Sequence, residues 1–141
     1  FTDFGDTVQF AMSYNYTAQA SLTLTNASLT GTATNAGNLP AAPVITLTNG
    51  SGSATGFTLT NAANGHTLTY TGTIDSTDVI IIDCRKLAVT NNGTNVFDNL
   101  AIGSTQVSWF NLEPGDNDLT LSLAGSSGTK TLVIEWYDTY L

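Results

Sequence analysis

The feature that most restricts this chain is a two-residue beat of apolar side chains with hydroxyl side chains between them. Leu119, Leu121 and Leu123 alternate with Asp118, Thr120 and Ser122, Phe57 and Leu59 with Thr58 and Thr60, and Leu68 and Tyr70 with Thr67, Thr69 and Thr71. Successive side chains of a strand point to opposite faces, so the pattern fits strands with one face in a core and one in solvent. A helix would instead need apolar residues three and four apart. Its best formers are also scarce, with Glu and Lys present twice each and Met once.

Further strands follow from the same logic. Leu22-Leu24 and a second segment near Leu29 flank a turn at Asn26-Ala27, and Val44 to Thr48 runs from Pro40 and Pro43 to Asn49-Gly50. Val79 to Ile82 is the longest undiluted apolar run and reads as a strand buried on both faces or central in a sandwich. Leu87-Ala88-Val89 leads into a tight turn at Asn91-Asn92-Gly93. Val107, Trp109 and Leu112 bracket a strand that stops at Pro114-Gly115, and the last strand runs from Thr131 to Tyr137 with Leu132, Ile134 and Trp136 on one face. Asn64-Gly65 signals a two-residue hairpin turn with both central residues at positive φ. Ser51-Gly52-Ser53-Ala54 reads as a hairpin loop.

The expectation is an all-β chain of about ten short strands with little or no helix, an antiparallel β-sandwich. No charge shift or Pro/Gly tract divides residues 1–141, which read as a single domain. The triplets Thr23–Thr25, Thr46–Thr48 and Thr58–Thr60 recur at unequal intervals, as strands with one buried face produce without any true repeat.

Composition closes off other classes. Three cations (Arg85, Lys86, Lys130) stand against eleven carboxylates, a net charge of −8. No basic stripe can neutralise a run of phosphates, so nucleic acid is excluded as a partner. No apolar run approaches the roughly 18 residues of a membrane-spanning helix, so membrane insertion is not expected. Charged residues are 10% of the chain but hydrophobic ones are 41%, which is not the signature of disorder. The start, Phe1-Thr2-Asp3-Phe4, shows neither a signal peptide nor an initiator Met, and reads as a processed chain or a piece of a longer one.

Candidate chemistry has a plainer reading at each position. His66, the one histidine, follows the Asn64-Gly65 turn, and no serine sits in a Gly-x-Ser-x-Gly elbow. Cys84 is alone beside the Val-Ile-Ile-Ile run, so it reads as a small buried filler. Asp75 and Asp78, and Glu113, Asp116 and Asp118, lie in turn-rich segments where solvent keeps carboxylates ionised, unlike a glycosidase pair. The Glu113–Asp118 segment is oxygen-rich enough for calcium but lacks the spacing of a calcium loop, and Pro114-Gly115 explains it as a turn. No catalytic residue, metal ligand or cofactor is expected. Four sequons, at Asn15, Asn26, Asn49 and Asn92, follow from the abundance of Asn and Thr. Flat aromatics on a sandwich can stack sugars, which makes Trp109, Tyr137 and Tyr140 the candidate ligand-facing residues, whereas Trp136 belongs with Leu132 and Ile134 in the core.

From Thr34 onward the order of features resembles the C-terminal domain of siphophage distal tail (Dit) proteins, the phage tail component family. The resemblance is carried by Asn35-Ala36-Gly37, then Ala42-Pro43-Val44-Ile45-Thr46-Leu47, the apolar run closing in Ile82-Asp83, and the Asn92-Gly93 hairpin. It continues in Trp109-Phe110-Asn111-Leu112-Glu113-Pro114-Gly115-Asp116-Asn117 and ends in Ile134-Glu135-Trp136-Tyr137. Each element is a turn or core device; Asp83, for one, ends a buried strand where its carboxylate can accept backbone amides. The resemblance implies a galectin-like sandwich over residues 34–141, with residues 1–33 as N-terminal strands or a linker from a longer parent. It implies a structural virion component at the phage tail tip, outside the cell, joining the tail tube to the host-recognition apparatus. The implied partners are other tail proteins and further copies in a hexameric ring. A carbohydrate-binding module for host-surface glycans is the alternative from a different functional class.

Overall fold

The computed structural model describes residues 15–140, and residues 1–14 and 141 lie outside it. Eleven strands are present among the described residues: β1 Asn15–Thr25, β2 Thr30–Asn35, β3 Val44–Asn49, β4 Ala54–Asn61, β5 Thr67–Ile74, β6 Val79–Asp83, β7 Ala88–Asn91, β8 Thr94–Asn95, β9 Leu100–Ile102, β10 Gly115–Ala124 and β11 Lys130–Tyr140. One 3-10 turn, Phe97–Asn99, separates β8 from β9. The strands form a six-stranded sheet in the order β1-β11-β3-β6-β7-β8 and a five-stranded sheet in the order β2-β10-β4-β5-β9. All pairings are antiparallel. The result is the all-β sandwich expected from the sequence.

The two-residue beat determines which face meets the core. Along β10, Asn117, Leu119 and Leu121 are buried while Asp116, Asp118, Thr120 and Ser122 are exposed. Ile45, Leu47, Ile80, Ile82, Leu132 and Ile134 from one sheet meet Phe57, Leu59, Leu68, Tyr70, Leu119 and Leu121 from the other. Burying side chains of this size contributes about 2 kcal/mol each. Phe57 and Tyr70, paired in register, stack with ring centroids 5.7 Å apart. Trp136 is buried in the same core as Leu132 and Ile134, as read from the sequence.

Rows of hydroxyls run across the outer face of the five-stranded sheet. Thr30, Thr120, Thr60 and Thr67 form one row across β2, β10, β4 and β5, followed by Ser122, Thr58 and Thr69 in the next. Thr58 and Thr69 touch through their hydroxyls at 3.1 Å. On the six-stranded sheet the corresponding row is Thr23, Val133, Thr46, Ile81 and Thr90.

Three local expectations are corrected. Val107, Trp109 and Leu112 do not form a strand; the segment is irregular apart from one bridge between Leu112 and Ala41. Gln106 explains this, because its Oε1 accepts the amides of Thr67 and Gly103 at 2.8 and 3.3 Å, and its Nε2 donates to the Trp109 carbonyl. A side chain thus occupies backbone positions that a strand would have used. Second, the loop at Asn64-Gly65 is not a two-residue turn: only Gly65 is left-handed (φ 74°), and its amide reaches back to Asn61 O at 2.8 Å. The turn with both central residues at positive φ is Asn92-Gly93 (φ 49° and 85°). Third, residues 51–54 do not close a hairpin but carry the chain from β3 in one sheet to β4 in the other. They run beside the β10–β11 connection, which crosses between the same sheets, and Lys130 Nζ donates to Ser51 O (3.0 Å) and Ser127 O (2.5 Å), joining the two crossings. That contact explains why a lysine is buried at 1% exposure.

Candidate functional site

The acidic turns are built from within. Asp78 accepts the Asp75 amide (2.9 Å) and the side-chain amides of Asn91 and Asn92 (3.1 Å each), so it ties the β5–β6 turn to the β7–β8 hairpin. Asp116 and Asp118 accept the hydroxyls of Thr34 (2.7 Å) and Thr32 (2.8 Å) across the β2–β10 pair. Glu113 accepts the Asn64 side-chain amide at 3.0 Å. Among the described residues no three His, Cys, Asp or Glu side chains come together as metal ligands would.

Asn117 organises the turn at Pro114-Gly115. Its Oδ1 accepts the Glu113 amide (2.7 Å) and Asn61 Nδ2 (2.9 Å), while its Nδ2 donates to the carbonyls of Ala33 (3.1 Å), Glu113 (2.9 Å) and Gly115 (3.0 Å). Asn35, Asn49 and Asn61 are likewise buried at strand ends and donate to carbonyls of neighbouring loops and strands. Sequence reading assigned asparagines to turns and sequons. The Asn49 sequon is instead sealed at 1% exposure. For Asn49 and Asn61 the missed signal was the position directly after Thr-Leu-Thr, where the strand's alternation places the next side chain inward; Asn26, after the same triplet, is exposed in a turn. Asp83 behaves as read, its Oδ1 accepting the amides of Arg85 and Lys86 at 3.0 Å each.

His66 is half-buried behind the β4–β5 loop. Cys84 is buried, and that burial first, with Asp83 second, pushes its thiol up to about 12. A thiol that stays protonated is a poor nucleophile and metal ligand.

The candidate ligand-facing aromatics lie in three different surroundings. Tyr137 faces outward from β11, with the Arg85 guanidinium 5.7 Å above its ring. Tyr140 ends β11 half-exposed, opposite Asn15. Trp109, half-buried, packs against Phe97 with centroids 5.6 Å apart and planes tilted by 36°. Phe97, not singled out from sequence, is 48% exposed at the tip of the 3-10 turn. It lines an open groove of about 500 Å³ with Asn95, Val96, Asp98 and Asn99. Only a solitary aromatic marked it in the sequence.

Two antiparallel sheets packed around one apolar core, with Asp78, Asp83, Glu113, Asp116 and Asp118 engaged in turn and strand contacts, define an antiparallel β-sandwich. Residues 36–140 match the siphovirus-type tail component, C-terminal domain, and the chain belongs to that family. The chain is therefore a structural part of a phage tail and is associated with the virion. In overall shape it is similar to the crystal structure of SPP1 Dit (gp 19.1), presented as a paradigm of the hub adsorption apparatus in phages that infect Gram-positive bacteria. The TM-score is 0.66 at 16% identity, covering 91% of this chain and 49% of that one. The chain thus spans about half the length of this relative. No curated protein sequence matches.

Proposed function

We propose that this domain is an adaptor of the tail tip or baseplate, joining the tail tube to the host-recognition apparatus as one of several copies in a ring, six in the parent protein. The observation that carries the reading is membership of the tail-component family over residues 36–140. The surface supports it. Packing the hydroxyl rows of the five-stranded sheet against a neighbour desolvates few charges, and an uncompensated buried charge is the most costly group to bury. With Lys130 inside, Arg85 and Lys86 are the only cations at the surface of the described residues, so contacts to other tail proteins rest on apolar, hydrogen-bonded and main-chain groups. The domain has no catalytic task in this reading.

Immunogold labelling of intact virions with antibodies raised against this chain tests the location, and light scattering of the full-length parent tests the assembly. Label at the tail end farthest from the capsid and a six-copy mass are expected. Label on the capsid, or a parent that stays monomeric at every concentration, overturns the proposal.

A second reading, glycan recognition on the outside of the tail, is favoured by one observation: the exposed Phe97 beside Trp109 at an open polar groove. Tyr137 and Tyr140 remain candidates within this reading only as separate contacts.

A further inference from the structure

We infer that the groove beside the 3-10 turn is a saccharide site, in which Phe97, backed by Trp109, stacks one pyranose ring of a neutral glycan. The inference deepens the glycan reading and rests on it. It starts from the short β8, which pairs with β7 only through Thr94 and Asn95. There the chain leaves the edge of the six-stranded sheet, and the 3-10 turn carries it to β9 at the edge of the five-stranded sheet. The turn sits across the open side of the sandwich and holds Phe97 outward at 48% exposure.

Phe97 rests against Trp109, with centroids 5.6 Å apart and planes at 36°, and Trp109 is held firmly. Gln106 binds the amides of Thr67 and Gly103 through one end and the Trp109 carbonyl through the other, so the loop closes on a single side chain. A site held in place before the ligand arrives loses less conformational freedom on binding.

The polar rim is equally specific. Asn95 Oδ1 accepts the Phe97 amide at 2.9 Å, which leaves Asn95 Nδ2 as a donor. Asn99 Nδ2 donates to the Tyr70 hydroxyl at 3.2 Å, which leaves Asn99 Oδ1 as an acceptor. Asp98 lines the groove, and its carboxylate has no hydrogen-bond or ion-pair partner among the described residues. The exposed Phe97 ring bordered by an amide donor, an amide acceptor and a carboxylate matches a pyranose, whose C–H face is apolar and whose edge carries hydroxyls. An apolar protein surface docking here would strip water from Asp98 and Asn95 without supplying partners, which is costly. Charge narrows the class further. No cation lines the groove, Asp98 is anionic, and the net charge is −8, so a phosphorylated or carboxylated glycan is repelled.

The test is titration of the 141-residue chain with chitotriose, maltotriose and polygalacturonate, read by tryptophan fluorescence, alongside a neutral-glycan array. Trp136 is buried, so a ligand-dependent change in emission reports Trp109. Expected is binding of at least one neutral glycan with Kd of about 1 mM or tighter. Loss of one stacking ring in Phe97→Ala then weakens it roughly tenfold or more. Asp98→Asn also weakens binding, and both substitutions are at the surface, where thermal melts verify the fold. The inference is overturned if no neutral glycan binds, if polygalacturonate alone binds, or if Phe97→Ala leaves affinity unchanged. It is also overturned if no glycan binds and Phe97→Ala instead disrupts assembly of the parent, which assigns the patch to a protein partner. Virion labelling is indifferent to all of these outcomes, so the tail-tip location stands or falls separately.

Discussion

Asn117 shows how much of this fold rests on single amides. Five hydrogen bonds converge on it, joining the Pro114-Gly115 turn to β2 and β4. Asn117→Ala leaves several buried groups unpaired and is expected to lower unfolding free energy by about 3 kcal/mol or more, measured by urea denaturation. Asn117→Asp does not rescue it, because a carboxylate cannot donate to the carbonyls of Ala33, Glu113 and Gly115. The sequence marked this residue as part of a turn but could not show its inward aim, which depends on strands distant in the chain. Cys84 gives a prediction with a sign. Its folded thiol titrates at about 12 against an ordinary 9.0, so between these pH values the unfolded chain loses a proton that the folded chain keeps. Stability from this group is complete below pH 9 and falls as pH rises through that window. Urea melts from pH 8 upward are expected to show the decline, and Cys84→Ala to show a shallower one; identical slopes overturn the assignment.

Elements were legible where the two-residue beat and a turn signal agreed. The strands read around Leu47, Leu59, Leu68 and Leu121 are β3, β4, β5 and β10, because alternation with Thr or Ser leaves each only one face to bury. β6 and β11 were read from their apolar side chains, and β6 lies inside its sheet with Ile81 39% exposed, so it is not buried on both faces. The 107–112 segment was misread because its apolar spacing resembles a strand while Gln106, one ordinary residue, provides the local hydrogen bonds. The 51–54 loop was misread because a connection between sheets and a hairpin use the same Gly and Ser. Leu87 was placed in a strand but lies in the preceding turn at φ 57°, with β7 starting at Ala88. Turn chemistry at Asn92-Gly93 yields a clean test. A Cβ on Gly93 meets nothing within 4 Å, so Gly93→Ala adds only the strain of a left-handed backbone. The expected loss is about 1 kcal/mol. Since β8 leads directly into the 3-10 turn, the variant is also expected to raise hydrogen exchange at Phe97 before the core loosens.

At the scale of the molecule, pairings between strands far apart in the chain hold both sheets. β1 has β11 as its strand neighbour, and β2 has β10. Removing Lys130–Leu141 takes away the neighbour of both β1 and β3 and leaves Leu24, Ile45 and Leu47 without the core contacts of Leu132 and Ile134. Such a truncation is expected to be unfolded by near-ultraviolet circular dichroism, and a cooperative melt from it would refute this account. The sandwich class was legible because alternation is a local signal; strand order was not, because only tertiary closure decides which strands meet.

That strand order has a consequence for how the protein is made. A ribosome delivers β1 and β2 well before their partners β11 and β10, so neither strand can be paired while the intervening chain is emerging. Non-local pairing of this kind is slow to form and leaves strand edges open meanwhile. Residues 15–25 and 30–35 contain no Lys, Arg, Asp, Glu or Pro, the residues that normally keep unpaired strands apart. When many copies are translated together, a nascent chain competes with its neighbours for its own C-terminal strands, and the interval before β10 and β11 emerge is when a strand from another copy can take their place.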